Sequence, residues 1–130
     1  MAALDLGEVR TGVAVSDPGR ILATPLEVIP SVDLAAYLHR LFDEEGISEV
    51  VVGVPRTLGG EIGSQARSVL DTLESLRTEF PGVRFVEWDE RFTTRMASAG
   101  RGGNKKGAVR VDHLAAARML QEYLEARGRL

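Results

Sequence analysis

The segment Glu49-Val-Val-Val-Gly-Val54 restricts the fold more than any other. After its first residue it carries no polar side chain. As a strand it must be covered on both faces, which calls for a sheet between helices rather than a one-sided antiparallel layer. The flanking sequence supplies those helices. Leu34, Leu38, Leu41 and Phe42 fall at helical spacing within 33–45, with Ser31 or Asp33 as the cap. Ala66, Val69, Leu70, Leu73, Leu76 and Phe80 do the same within 64–80, and Pro81-Gly82 stops that helix. Within 112–126, Ala115, Ala116, Met119, Leu120 and Tyr123 line one side of a last helix, and a shorter helix is expected over 93–99.

The first third reads as strands joined by turns. Leu4 lies in one strand, Thr11-Gly-Val-Ala-Val-Ser16 forms a second, and 21–29 a third, interrupted at Pro25. Asp17-Pro18-Gly19-Arg20 is a turn, because proline presets φ and glycine accepts the positive values. Val83 to Trp88 adds a later strand. The order β-β-β-α-β-α-β-α-α gives an α/β fold with a mixed sheet and helices on both faces. A chain of 130 residues holds one such domain, 1–130, and buries enough surface to fold without staples.

Several function classes drop out. The chain has no cysteine, which excludes disulfides, thiolate metal sites and cysteine nucleophiles. No apolar run approaches the ~20 residues of a membrane span, and Met1-Ala2-Ala3-Leu4-Asp5 lacks the features of a signal peptide, so a cytoplasmic protein with no membrane partner is expected. The net charge of −3 conceals an asymmetry: residues 91–110 contain Arg91, Arg95, Arg101, Lys105, Lys106 and Arg110 and no acid.

Acids mark the opposite chemistry. Asp5 sits inside the first strand, Asp89 and Glu90 follow the apolar strand ending at Trp88, and Asp112 opens the last helix. Positions 112, 116, 119 and 123 share one helical face, and the last three are apolar, which turns the Asp112 stripe toward the sheet. Taken singly, each acid reads as a cap or a solvated strand end. Together, carboxylates at the ends of strands in an α/β sheet lie where ligands gather. Such acids repel one another unless a cation joins them, and oxygen ligands suit Mg²⁺ or Mn²⁺. A metal held by acids beside a basic segment that grips phosphates describes a metal-dependent nuclease.

Two rival readings use fewer of these residues. A non-catalytic nucleic-acid-binding factor needs the basic segment but not the acids. A nucleotide-binding module would use Asp5-Leu-Gly7 through Gly12 as a phosphate loop, but a chain this short has no second domain to close over the nucleotide. His113 points about 100° from Asp112 on a helix and reads as a packing or surface residue; His39 reads as solvated.

Taken together, four stretches resemble the YqgF family, also called RuvX, of Holliday junction resolvase-like proteins and pre-16S ribosomal RNA nucleases. They are Leu4-Asp-Leu-Gly7 with Gly12-Val-Ala-Val-Ser-Asp17; Val51-Val-Gly-Val-Pro55; Trp88-Asp-Glu-Arg-Phe-Thr-Thr94; and Lys105-Lys-Gly107 with Asp112-His-Leu-Ala-Ala116 and Leu120-Gln-Glu-Tyr-Leu124. The resemblance implies an RNase H-like fold with a five-stranded mixed sheet flanked by helices. It implies Asp5, Glu90 and Asp112 as catalytic and metal-holding acids, with Asp89 as a further candidate ligand. Arg10, Arg91, Arg101, Lys105, Lys106 and Arg110 are the candidate nucleic-acid contacts, and Thr93 and Thr94 match the family's paired threonines. The implied substrate is precursor 16S ribosomal RNA, with branched DNA as the alternative, acted on by a monomer or homodimer. The chain departs from the pattern at Val9, where the family carries lysine, and in a short lead-in before Asp5.

Overall fold

The computed structural model describes residues 1–55, 63–89 and 112–128. Five strands are present: β1 (Ala2–Asp5), β2 (Arg10–Ser16), β3 (Ala23–Pro30), β4 (Glu49–Val54) and β5 (Arg84–Asp89). The helices are α1 (Leu34–Glu45), preceded by a 3₁₀ turn over Ser31–Asp33, α2 (Ser64–Glu79) and α3 (Asp112–Gly128). The strands form one sheet in the order β3-β2-β1-β4-β5. The two hairpin contacts are antiparallel, whereas β4 runs parallel to both β1 and β5.

Every residue of β4 is buried, as its apolar run requires. Alternation divides the sheet into two faces. Ala2, Leu4, Val50, Val52, Val54 and Phe85 pack under α1 and α2, against Leu38, Leu73 and their neighbours. Ala3, Ala14 and Val51 pack under α3, against Ala116, Met119 and Leu120. Small residues on both sides of that second layer let the helix lie close to the sheet. The expected sandwich is therefore present, and the stripe Ala116, Met119 and Tyr123 is buried.

Three local expectations are corrected. Neither Ser31 nor Asp33 caps α1 with its side chain; the 3₁₀ turn supplies the lead-in, and Ser31 is engaged elsewhere. The third strand starts at Ala23, not Ile21. Asp17 Oδ1 accepts the N–H groups of Ile21 and Leu22 at 2.8 and 2.7 Å, which holds both residues in the turn and leaves their side chains exposed. Pro25 does not break β3; the register shifts between Val13 and Ala14, where Leu26 is left over as a bulge on this edge strand. The short helix expected over 93–99 lies outside the described residues.

Candidate active-site edge

Asp5 is the last residue of β1 and stands half-buried at the C-terminal end of an interior strand. Leu4 is opposite Val52 and Gly53 is opposite Trp88, so Asp5, Gly53 and Trp88 occupy successive strands at one level. By alternation Asp5 shares the face of Ala3, which is the face covered by α3. Trp88 lies on that face too, its ring edge-on to Tyr123 of α3 at 5.5 Å. Asp89 has the parity of Phe85 and Glu87, and Glu87 lies 3.8 Å from Arg77 on α2. The register thus sets Asp89 on the other face from Asp5.

Asp112 is the first residue of α3, and His113 follows it. The far end of that helix is anchored at the opposite edge of the sheet, where Tyr123 and Arg127 bind Glu49 at the start of β4. Arg10 begins β2, two residues beyond the Asp5–Gly12 pair, and is exposed at the same edge as Asp5. Glu90, Arg91, Thr93, Thr94, Arg101, Lys105, Lys106 and Arg110 lie outside the described residues. His39 is exposed but engaged: its Nε2 lies 2.7 Å from Glu79 and its ring lies 4.5 Å from that of Phe80.

The loop that follows Asp5 is tightly specified. A Cβ on Gly7 would collide with the carbonyl oxygen of Arg10, so only glycine lets the chain fold back here. Ser31 then clamps the loop. Its hydroxyl donates to the Gly7 carbonyl at 2.7 Å, and its N–H donates to the Val9 carbonyl at 2.8 Å. Ser31 has one hydroxyl proton, already given to Gly7, so the hydroxyl of fully buried Thr11, 2.9 Å away, donates to Ser31. Gly7 is visible in the sequence motif but its clamp is not, because Ser31 is 24 residues away in the chain. An open cavity of about 330 Å³ lies beside this loop, with Gly7 and Glu8 on one side and Ser64, Gln65, Ser68 and Thr72 of α2 on the other. Asp5 does not line it.

The donor chemistry fits a divalent metal. Asp5, Glu90 and Asp112 offer only carboxylate oxygens, the ligands that Mg²⁺ and Mn²⁺ prefer. Among the described residues no complete group of three such ligands is assembled. Also among the described residues, no helix is long and apolar enough to cross a membrane.

A protein of Rubrobacter xylanophilus, named provisionally as a pre-16S rRNA nuclease, is 65% identical over 130 residues, covering 98% of this chain and 94% of its own. A protein of the same name from Desulforudis audaxviator is 40% identical over 133 residues, covering 95% of this chain and 92% of its own. Among solved structures, Thermus thermophilus RuvC in complex with a Holliday junction substrate superposes with a TM-score of 0.62 at 17% identity, covering 98% of this chain and 96% of that one. That likeness makes the five-stranded sheet with its helices an RNase H-like fold. Residues 1–126 match the RuvX family model, described as Holliday junction resolvase, and the chain belongs to that family.

Proposed function

We propose that this protein is a metal-dependent endonuclease that hydrolyses phosphodiester bonds in structured nucleic acid, with precursor 16S ribosomal RNA as its substrate. The observation that carries the reading is the position of Asp5. It stands at the end of an interior strand, on the face covered by the helix that begins with Asp112. The names of the relatives supply the RNA substrate.

In this reading Asp5, Glu90 and Asp112 hold Mg²⁺ or Mn²⁺. Asp89 has the parity of the α2 face, which weighs against it as a ligand beside Asp5. When bound, the metal supplies Lewis-acid polarisation of the phosphoryl oxygen and a lowered pKa for the attacking water. The protein's own residues do the rest. Gly7 and the Ser31 clamp hold the loop after Asp5, which keeps its carboxylate aimed at one place. Arg10, with Arg91, Arg101, Lys105, Lys106 and Arg110, binds backbone phosphates and sets the register of the substrate. A cytoplasmic location accords with such a substrate.

The family description and the RuvC neighbour favour a second substrate, the four-way DNA junction. One experiment addresses both. Labelled precursor RNA fragment and labelled junction are incubated with wild type and Asp5→Asn, in Mg²⁺, Mn²⁺ or EDTA. The expected result is metal-dependent cutting of the RNA that falls by roughly 10²-fold or more in the variant while binding persists. Preferential cutting of the junction transfers the activity to DNA. Binding without cutting in every metal overturns the nuclease and leaves a nucleic-acid-binding factor.

A further inference from the structure

The edge of the sheet remote from Asp5 carries a second concentration of charge, unrelated to the acids. Glu49 opens β4 with its side chain only 6% exposed. Its Oε1 accepts from Arg20 Nη1 at 3.0 Å and from Arg127 Nη1 at 2.9 Å. Its Oε2 accepts from the Tyr123 hydroxyl at 3.3 Å and lies 3.7 Å from Arg84 Nη1. Three guanidiniums from three parts of the chain thus converge on one carboxylate, each drawn to it and repelled by the other two. Burial first, and then the neighbouring Arg20 charge, push the Met1 ammonium below its ordinary value, while Glu49 and Asp17 act the other way. The nearby Asp17 carboxylate is turned to the N–H groups of Ile21 and Leu22.

Two features point to a use for this cluster. Both oxygens of Glu49 are taken, yet each guanidinium has five N–H donors, and the arginine side chains keep 40% (Arg20), 42% (Arg127) and 72% (Arg84) of their exposure. Glu49 fixes Arg20 and Arg127 by hydrogen bonds and draws in the more exposed Arg84 by charge, so three guanidiniums with N–H donors to spare are gathered at one place. Arg20 is also the one non-glycine residue at positive φ among the described residues, at 58°, a strained conformation held in a turn where its N–H donates to the Asp17 carbonyl at 2.9 Å.

We propose that Arg20, Arg84 and Arg127 form a phosphate-binding site that takes a backbone phosphate of the nucleic acid at a distance from the point of cleavage. The proposal rests on the nuclease reading for its choice of polyanion. The path is short. Arg84 starts edge strand β5 and Asp89 ends it, a span of roughly 17 Å at 3.3 Å per residue, which is several base-pair steps of a duplex. Glu87, between them, is matched by Arg77. A duplex along this edge reaches from the arginine cluster to the end of the sheet where Asp5 stands.

The test uses the full chain in EDTA, so that cleavage plays no part. Arginine Nε–Hε signals are followed by NMR during titration with inorganic phosphate and then with an RNA hairpin. Hairpin affinity is measured by fluorescence anisotropy across a salt series for wild type, Arg84→Gln and Arg40→Gln. Arg84 is chosen as the most exposed of the three and the least involved with Glu49; Arg40 on α1 is the control. Shifts of the Arg20, Arg84 and Arg127 signals with both probes are expected. Arg84→Gln is expected to weaken hairpin binding about 3- to 10-fold near 0.1 M salt and to reduce the salt slope by about one, with Arg40→Gln unchanged. Shifts with inorganic phosphate alone, with Arg84→Gln binding the hairpin normally, overturn the nucleic-acid source. Absence of shifts with either probe overturns the site and leaves the cluster as an anchor for α3. A protein that binds no hairpin at all fails the nuclease reading instead, and the phosphate titration still decides the site.

Discussion

At the scale of single residues, the site is governed by what sits just after Asp5. Gly7 is needed for space: any side chain there meets the Arg10 carbonyl, and neither partner is a flexible tip that can move aside. Gly7→Ala is expected to destabilise the protein by about 1–3 kcal/mol. Because the displaced loop begins next to Asp5, it is also expected to weaken Mn²⁺ binding. Thermal shift with and without Mn²⁺ reads both effects. A variant with a lowered melting temperature but an unchanged metal-induced rise would show that the loop does not position Asp5.

At the scale of elements, the Ser31 clamp joins the β1–β2 loop to the turn that follows β3. Removing Ser31 takes the hydrogen bond from Gly7 and leaves the Thr11 hydroxyl, fully buried, without its acceptor. Ser31→Ala is expected to cost about 1–2 kcal/mol, most of it the penalty of the orphaned hydroxyl. Adding Thr11→Val removes that hydroxyl, so the double variant is expected to recover part of the loss. Urea denaturation of the four proteins tests the point; strictly additive losses would show that the two hydroxyls are not coupled. Helix α3 is tied down in a similar way. Gln121 accepts from the Ala23 N–H at 2.8 Å and donates to the Ile21 carbonyl at 3.0 Å, while Tyr123 and Arg127 hold Glu49. Its apolar stripe was legible as a period of 3.6. The polar ties were not, since their partners lie 74 to 100 residues away.

At the scale of the whole molecule, Glu49 joins the β2–β3 turn, β4, β5 and α3 through one carboxylate. Burial pushes its pKa up, but the Arg127 hydrogen bond and charge, with Tyr123 and Arg20, outweigh burial and hold it below the ordinary 4.5. A carboxyl depressed on folding contributes stability that is complete above the ordinary value and is lost as the pH falls through the depressed one. Glu49→Gln is therefore expected to cost roughly 1–3 kcal/mol at pH 7. That is less than the ~3–5 kcal/mol of a fully buried pair, because the guanidiniums keep contact with water. The deficit should shrink as the pH drops below about 4.5. The single tryptophan, Trp88, packs on Tyr123, and its fluorescence during denaturation follows the docking of α3. A deficit independent of pH between 3 and 7 would show that the carboxylate charge is not what stabilises the cluster.

Residue order alone dictates the layered α/β fold, because an apolar strand flanked by amphipathic helices has one way to hide its surfaces. It also determined the family, through motifs spread over nearly the whole chain, and it singled out Asp5 and Asp112 as acids placed where acids are costly. These readings depend on local periodicity and on residue type, both of which are present in a linear text. The tertiary structure alone decided which side chains meet across long separations. It put Asp5 on the face of α3 and Asp89 on the other, because strand parity becomes a direction only once the sheet has two defined sides. It drew Ser31 away from the helix cap and onto the Gly7 loop. It surrounded Glu49, which in the sequence was simply the polar start of an apolar strand, with three arginines. The last two outcomes satisfy a buried polar group, Thr11 in one case and Glu49 in the other, with a partner remote in the chain, and that pairing is settled by packing.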